Sequence, residues 1–124
     1  MSSSSSSLPP LFTIGGYGTG NGQFFSPYFL TSDKEGRIVV SDHYNKRIQF
    51  FSNDLLFEKS LPLSFKPLGI AINEENEGNL IVSDPLDAKI HIINSNNGEI
   101  IRSIGEEQGQ GQLKGPNGIA FDPI

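Results

Sequence analysis

Ile38-Val39-Val40-Ser41-Asp42 recurs 42 residues later as Leu80-Ile81-Val82-Ser83-Asp84. Each copy runs through branched apolar residues into a Ser-Asp pair, the pattern of a short buried strand stopped by a turn residue. The same offset carries Lys46-Arg47-Ile48-Gln49-Phe50 onto Ala88-Lys89-Ile90-His91-Ile92, and Gly36 onto Gly78. Upstream, Phe24-Phe25-Ser26-Pro27 is matched by Phe65-Lys66-Pro67 and then by Leu113-Lys114-Gly115-Pro116. Pro67 to Asn73 likewise reappears as Pro116 to Asp122. Two turns break the register. Asn73 to Gly78 is longer than Asp33 to Gly36, and the segment before Pro67 lacks the glycines of Gly15 to Gly22. Turns are where a repeat absorbs such changes.

Other strand signals fill the gaps. Leu11 to Ile14, Leu55 to Leu61, Glu99 to Ile104 and Gly118 to Phe121 are rich in branched and aromatic residues, and Gly, Pro, Asn and Asp separate them. No segment keeps an amphipathic helical period over three turns with caps. The fold class is therefore all-β. A repeat of this length with four short strands is the size of one blade of a β-propeller.

The run from Gly22-Gln23-Phe24 through Pro27, Asp33, Gly36-Arg37-Ile38-Val39-Val40-Ser41-Asp42 and Asn45-Lys46-Arg47-Ile48-Gln49-Phe50-Phe51 resembles an NHL repeat. The resemblance implies a partial six-bladed β-propeller. NHL propellers occur, among other places, at the C-terminal end of tripartite-motif ubiquitin ligases. The expected organisation is a Ser-rich tail over 1–10, repeats over 11–54 and 55–97, and an incomplete repeat over 98–124.

Strands labelled a to d from the centre outward then assign Tyr28–Ser32, Arg37–Ser41, Arg47–Phe51 and Leu55–Leu61 to one blade. Leu68–Asn73, Asn79–Ser83, Lys89–Ile93 and Glu99–Ile104 make the next. Leu11–Ile14 is expected as strand d of a preceding blade and Gly118–Phe121 as strand a of a following one. Such a set does not close a six-bladed ring, and joining copies through the two terminal strands leaves a blade without its middle strands. The expectation is a piece of a longer propeller with apolar outer blade faces.

Composition narrows the function. Cys is absent, which removes disulfides, thiolate metal sites and a cysteine nucleophile. The net charge is −5. Basic and acidic residues balance over 12–54 and the acidic ones exceed over the rest, so no phosphate-binding stripe is evident. Met1 is followed by six serines rather than by the basic and apolar regions of a secretory signal, and no apolar run is long enough to span a bilayer. A cytoplasmic protein with a flexible tail is expected, with no cofactor, no metal and no membrane partner.

Each chemical motif has a structural reading. Asp42, Asn45 and Arg47 are expected as a turn network, Asp42 and Asn45 bonding N–H groups of the b–c turn and Arg47 pairing with a carboxylate. Asp84, Asp87 and Lys89 repeat the pattern, which argues against catalysis at either place. His43 and His91 fall at non-equivalent positions, and neither shows a spaced carboxylate partner or a triad signature in the sequence. The glycines from Gly15 to Gly22 lack the Lys-Ser/Thr and helix of a phosphate loop. Glu74, Glu75 and Glu77 lack the alternation of a calcium loop. No enzyme motif remains.

The resemblance leaves three classes: a protein-interaction propeller, an RNA-binding propeller with a basic face, and a zinc enzyme on the related fold of the amidating lyase. Charge disfavours the second, and the absence of a histidine ligand set disfavours the third. A protein partner is expected, with recognition for a ubiquitin ligase as an alternative whose catalytic part would lie elsewhere. In an antiparallel blade the d–a and b–c connections emerge at one end. That end collects Tyr17, Asn21 and Gln23, then His43, Tyr44 and Lys46, with Asp87, Gln110 and Gln112. Tyr17, His43, Tyr44 and Lys46 are the candidate partner face, and Tyr44 is its anchor.

Overall fold

The computed structural model describes residues 13–76 and 78–105. Strands β1 (Pro27–Ser32), β2 (Ile38–Asp42), β3 (Arg47–Phe51) and β4 (Phe57–Pro62) form one antiparallel sheet in sequence order. Strands β5 (Ile70–Asn73), β6 (Asn79–Asp84), β7 (Lys89–Ile93) and β8 (Ile100–Ile104) form a second, ordered the same way. These are two consecutive four-stranded blades. The registers repeat with the sequence: Val40 faces Gln49 and Asp42 faces Arg47, as Val82 faces His91 and Asp84 faces Lys89. The b–c turns repeat as well, with Lys46 at φ 54° and its counterpart Ala88 at φ 56°. The one helical element among the described residues is a 3-10 turn, Glu74–Asn76, in the longer a–b connection.

Alternation along each strand makes both faces of a blade apolar. Val39, Ile48, Phe50 and Leu61 point from the first blade into the second, where Phe65, Ile70, Leu80, Val82 and Ile93 meet them in a single core. Burying a side chain of this size contributes about 1.5–3 kcal/mol, so this shared core holds the two sheets face to face. Polar bonds pin it. The Ser41 hydroxyl donates to Leu68 O at 2.7 Å. Lys59 Nζ donates to Ser95 O at 2.7 Å while lying over the Phe50 ring. The Lys34 N–H donates to Glu74 Oε2 at 2.8 Å.

The other face of the first blade carries Val40 and Phe51, capped by Phe24, with Ile14, Ile38 and Phe57 packed against them. One expectation is corrected here. Thr13 and Ile14 are not in a strand. No neighbouring strand among the described residues offers them a ladder, and Ile14 instead packs beside Phe24. Leu11, Phe12 and the expected strand Gly118–Phe121 lie outside the described residues. Strands β3 and β7 coincide with the sequence reading, and the others shift by one or two residues at their ends.

Candidate interaction face

Asp42 ends β2 with its side chain fully buried, and that position organises the d–a loop before the first blade. Its Oδ1 accepts the Phe25 N–H at 2.7 Å. Its Oδ2 accepts from Arg47 Nε at 2.8 Å, Asn45 Nδ2 at 2.9 Å and Gln49 Nε2 at 3.3 Å. A buried carboxylate needs this many donors, since an unpaired charge is costly away from water. The donors then reach onward to the loop. Arg47 donates to Thr19 O, Gly20 O and Gln23 O, all within 2.9 Å. Asn45 donates to Gly18 O at 2.9 Å. Gln49 accepts from Gly22 N–H and donates to Gln23 O. The expectation that Asp42 and Asn45 bond N–H groups of their own turn is corrected. Asp42 takes an N–H from the d–a loop, and Asn45 acts as a donor, because the loop closes over the turn and presents its carbonyls there.

Two glycines permit that closure. Gly15 at φ +102° lies where a Cβ would meet the Phe24 ring at 2.7 Å, and Gly18 at φ +152° lies against the Gln23 side chain. Phe24 can therefore fold back under the loop and cap the blade.

With the loop fixed, aromatic rings line up on top of it. Tyr17 meets Phe25 at 5.0 Å between centroids, Phe25 meets Tyr44 at 5.2 Å, Tyr44 meets His43 at 4.7 Å, and His43 meets Tyr28 at 4.9 Å. Tyr17, Phe25, Tyr28 and Tyr44 are all exposed. His43 is fixed by donating Nδ1–H to Pro67 O at 2.9 Å, which ties the row to the second blade. Lys66 Nζ lies 5.2 Å from the Tyr44 ring. His43, Tyr44, Lys66, Pro85 and Leu86 line a shallow cleft of about 330 Å³. The exposed Lys46 completes this end beside them. Phe25, Tyr28 and Lys66 were not singled out in the sequence. Phe25 follows the capping Phe24 and so points to the opposite side of the chain, which was the available signal.

The second blade builds its buried carboxylate differently. Asp84 Oδ2 accepts from His91 Nε2 at 3.0 Å, and His91 Nδ1 lies 2.7 Å from Ser103 Oγ. A carboxylate only accepts, so Nε2 carries the proton. Asp84 Oδ1 also takes the Asp87 N–H at a long 3.4 Å, while Lys89 opens β7 opposite Asp84. His91 therefore has a carboxylate partner seven residues before it, contrary to the sequence reading. The signal was the repeat itself, which superposes His91 on Gln49 and Asp84 on Asp42. The Ser, His and Asp are brought together, yet the imidazole is buried under the Phe65 ring at 4.4 Å. It holds Asp84 as Gln49 holds Asp42.

The opposite end is acidic and internally paired. Asp33 Oδ1 accepts the Glu35 and Arg37 N–H groups, and Oδ2 accepts Arg37 Nε at 2.7 Å. Burial pushes the Asp33 carboxyl up, but the Arg37 side chain and amide together outweigh it and hold it below 3.8. Burial, reinforced by the Arg37 charge, lowers the Lys59 ammonium below 10.5. Among the described residues no three His, Asp or Glu side chains are grouped to hold a metal, and no helix is long and apolar enough to cross a membrane.

This geometry has relatives. The chain is 38% identical over 45 residues to protein lin-41 of Caenorhabditis elegans, covering 36% of this chain and 4% of that protein. It is 43% identical over 42 residues to the E3 ubiquitin-protein ligase TRIM71 of Rattus norvegicus, covering 34% of this chain and 5% of that protein. No family model matches the chain. Among solved structures, hydrazine synthase of Kuenenia stuttgartiensis superposes with a TM-score of 0.64 at 15% identity, over 87% of this chain and 30% of that one. A protein of unknown function from Bacteroides caccae superposes with a TM-score of 0.52 at 16% identity, over 63% and 28%. The chain thus spans a small part of each relative. The architecture is all-β and of the β-propeller type, two blades of it, and the sequence likeness runs to NHL-repeat proteins over about a third of the chain.

Proposed function

We propose that these 124 residues are a non-catalytic NHL-type propeller segment that acts as a protein-interaction scaffold, its partner face being the end that carries Tyr17, His43, Tyr44 and Lys46. The observation that carries this reading is the continuous row of rings from Tyr17 to Tyr28, all exposed but the half-buried His43, held by a buried polar clamp below it. Exposed Tyr offers wide apolar contact with a polar tip at little conformational cost, which suits a protein surface. The blades beyond these two are supplied from outside the described residues, and the location is cytoplasmic. The likeness to an E3 ubiquitin-protein ligase supports a second reading: this face recognises substrates for a ligase whose catalytic part lies elsewhere.

A photo-crosslinking amino acid at position 44 tests the proposal against one at position 35, on the opposite end. Capture of a discrete protein from position 44 and not from position 35 is the expected result. Capture from both ends alike, or from position 35 alone, would contradict it.

A further inference from the structure

The interaction face has a recess at the seam between the two blades. It is the cleft of about 330 Å³ lined by His43 and Tyr44 of the first b–c turn, Pro85 and Leu86 of the second, and Lys66 of the connection between the blades. Both turns and the connection belong to the two described blades, so the walls need no flanking blade to complete them. The walls are unlike. At the 42-residue offset His43-Tyr44 has Pro85-Leu86 as its counterpart, which makes one side aromatic and the other aliphatic. Leu86 is 83% exposed at its turn and belongs to neither apolar core. A recess of this volume is small for a ligand pocket, with room for one or two side chains of an extended segment.

Two ammonium groups accompany it. Lys66 Nζ lies 5.2 Å from the Tyr44 ring, within reach of a cation–π contact that holds it at the rim. Lys46 is exposed on the same turn as Tyr44, two residues further on. Among the described residues neither lysine has a carboxylate partner. The carboxylates are placed elsewhere. Asp42 and Asp84 are buried, and Asp33, Glu35, Asp54, Glu74 and Glu75 lie in the a–b and c–d turns of the opposite end. Asp87 is exposed at this end but does not line the cleft.

We propose that this cleft takes a linear acidic segment of a partner protein, an apolar side chain of the segment seating between Tyr44 and Leu86 and its flanking carboxylates meeting Lys66 and Lys46. The inference deepens the interaction face proposed above and rests on it. The segment is acidic because the recess presents two cations that the described blades leave uncompensated, and complementary charge is what steers and orients a partner. It is a protein segment rather than a nucleic acid because Pro85 and Leu86 offer a phosphate or a base edge no side-chain donor, whereas they suit an aliphatic or aromatic side chain. The exposed Asp87 directly beyond Leu86 would also repel a phosphate chain that ran along that wall.

Panning a random peptide display library on the 124-residue chain tests this, with circular dichroism to monitor strand content in each variant. Enrichment of peptides that carry Asp or Glu on both sides of an apolar residue is the expected result. A fluorescein-labelled copy of the enriched peptide then serves as the probe. Lys66→Glu should weaken its binding about tenfold or more by setting like charges together. Leu86→Ser should weaken it about tenfold through the apolar area no longer buried. Lys34→Gln, at the opposite end, should bind as the wild type does. No enrichment, enrichment without acidic residues, binding indifferent to both cleft variants, or displacement of the probe by single-stranded oligouridine at a lower concentration than by the unlabelled peptide would each overturn the proposal. A protein captured from position 44 that binds Lys66→Glu and Leu86→Ser as well as the wild type would overturn it too, while leaving the partner face itself in place.

Discussion

The His91 imidazole stands 3.0 Å from the Asp84 carboxylate, in the place Gln49 takes beside Asp42 in the preceding blade. One geometric task, supplying a donor to a buried Asp at the end of strand b, is met by two side chains of different chemistry. His91→Gln should therefore preserve the fold, changing stability by about 1 kcal/mol or less, the net worth of one hydrogen bond. His91→Ala leaves a buried acceptor unpaired and should cost about 1–3 kcal/mol. Urea unfolding of both variants checks this. Equal losses would show that the ring's bulk under Phe65, rather than its donor, is what matters.

Asp42 holds Arg47, Asn45 and Gln49, the side chains that bond the d–a loop. Asp42→Ala takes the carboxylate from Arg47 and removes an acceptor for Phe25 N–H, Asn45 and Gln49. Breaking a buried ion pair in this way costs about 3–5 kcal/mol. Amide exchange should show protection lost first across residues 18–25, where Gly18, Gln23 and Phe24 now bond within the loop. Uniform loss across both blades would mean that the loop and the sheets unfold together.

Ala88 occupies the left-handed region at φ 56° without a side-chain reason to be there. The conformation costs a non-glycine residue about 1–2 kcal/mol, and glycine gives back about 0.5–1 kcal/mol in chain entropy. Ala88→Gly should accordingly raise stability by up to about 1 kcal/mol, read as a shift in the urea midpoint. A lower midpoint would contradict the turn geometry. The matching change at Lys46 is a poorer probe, since it also removes a cation from the candidate face.

Asp33 sets a pH dependence. Its folded carboxyl titrates below 3.8 because Arg37 outweighs the burial. A depressed carboxylate contributes stability that is present above its unfolded value and is lost as pH falls through the folded one. The stability gap between wild type and Asp33→Asn should thus stay constant above about pH 5 and shrink below the unfolded carboxylate value of about 3.9. Unfolding curves from pH 7 down to pH 3 measure it, and a gap that widened on acidification would reverse the sign.

The blades were legible because apolar periodicity and a 42-residue echo both survive in the sequence. Strands β2 and β6 share the Ser-Asp ending, and the cores fall on alternate residues as the strand period requires. Strand ends were less legible, since turn-type residues such as Asp42 and Asp84 also join the ladders. The clamp was read in part. Asp42, Asn45 and Arg47 were visible as a cluster, but the direction of their bonds depends on a d–a loop folding back over a turn more than twenty residues away. Gln49 and His91 were hidden for another reason: a polar side chain inside an apolar strand looks like an ordinary outward position until the facing carboxylate is in place. Phe25 was hidden beside Phe24, because which of two adjacent rings caps the core is decided by packing rather than by composition.

The claim that one end of the blades is a partner face is tested most directly by affinity. With the protein captured at position 44 in hand, titration calorimetry would compare wild type, Tyr44→Ala and Glu35→Ala. Tyr44→Ala should weaken binding by about 1–3 kcal/mol, the loss of a hot-spot aromatic, with strand content unchanged. Glu35→Ala, at the opposite end, should bind as the wild type does. Undiminished binding by Tyr44→Ala, or a loss matched by Glu35→Ala, would contradict the assignment.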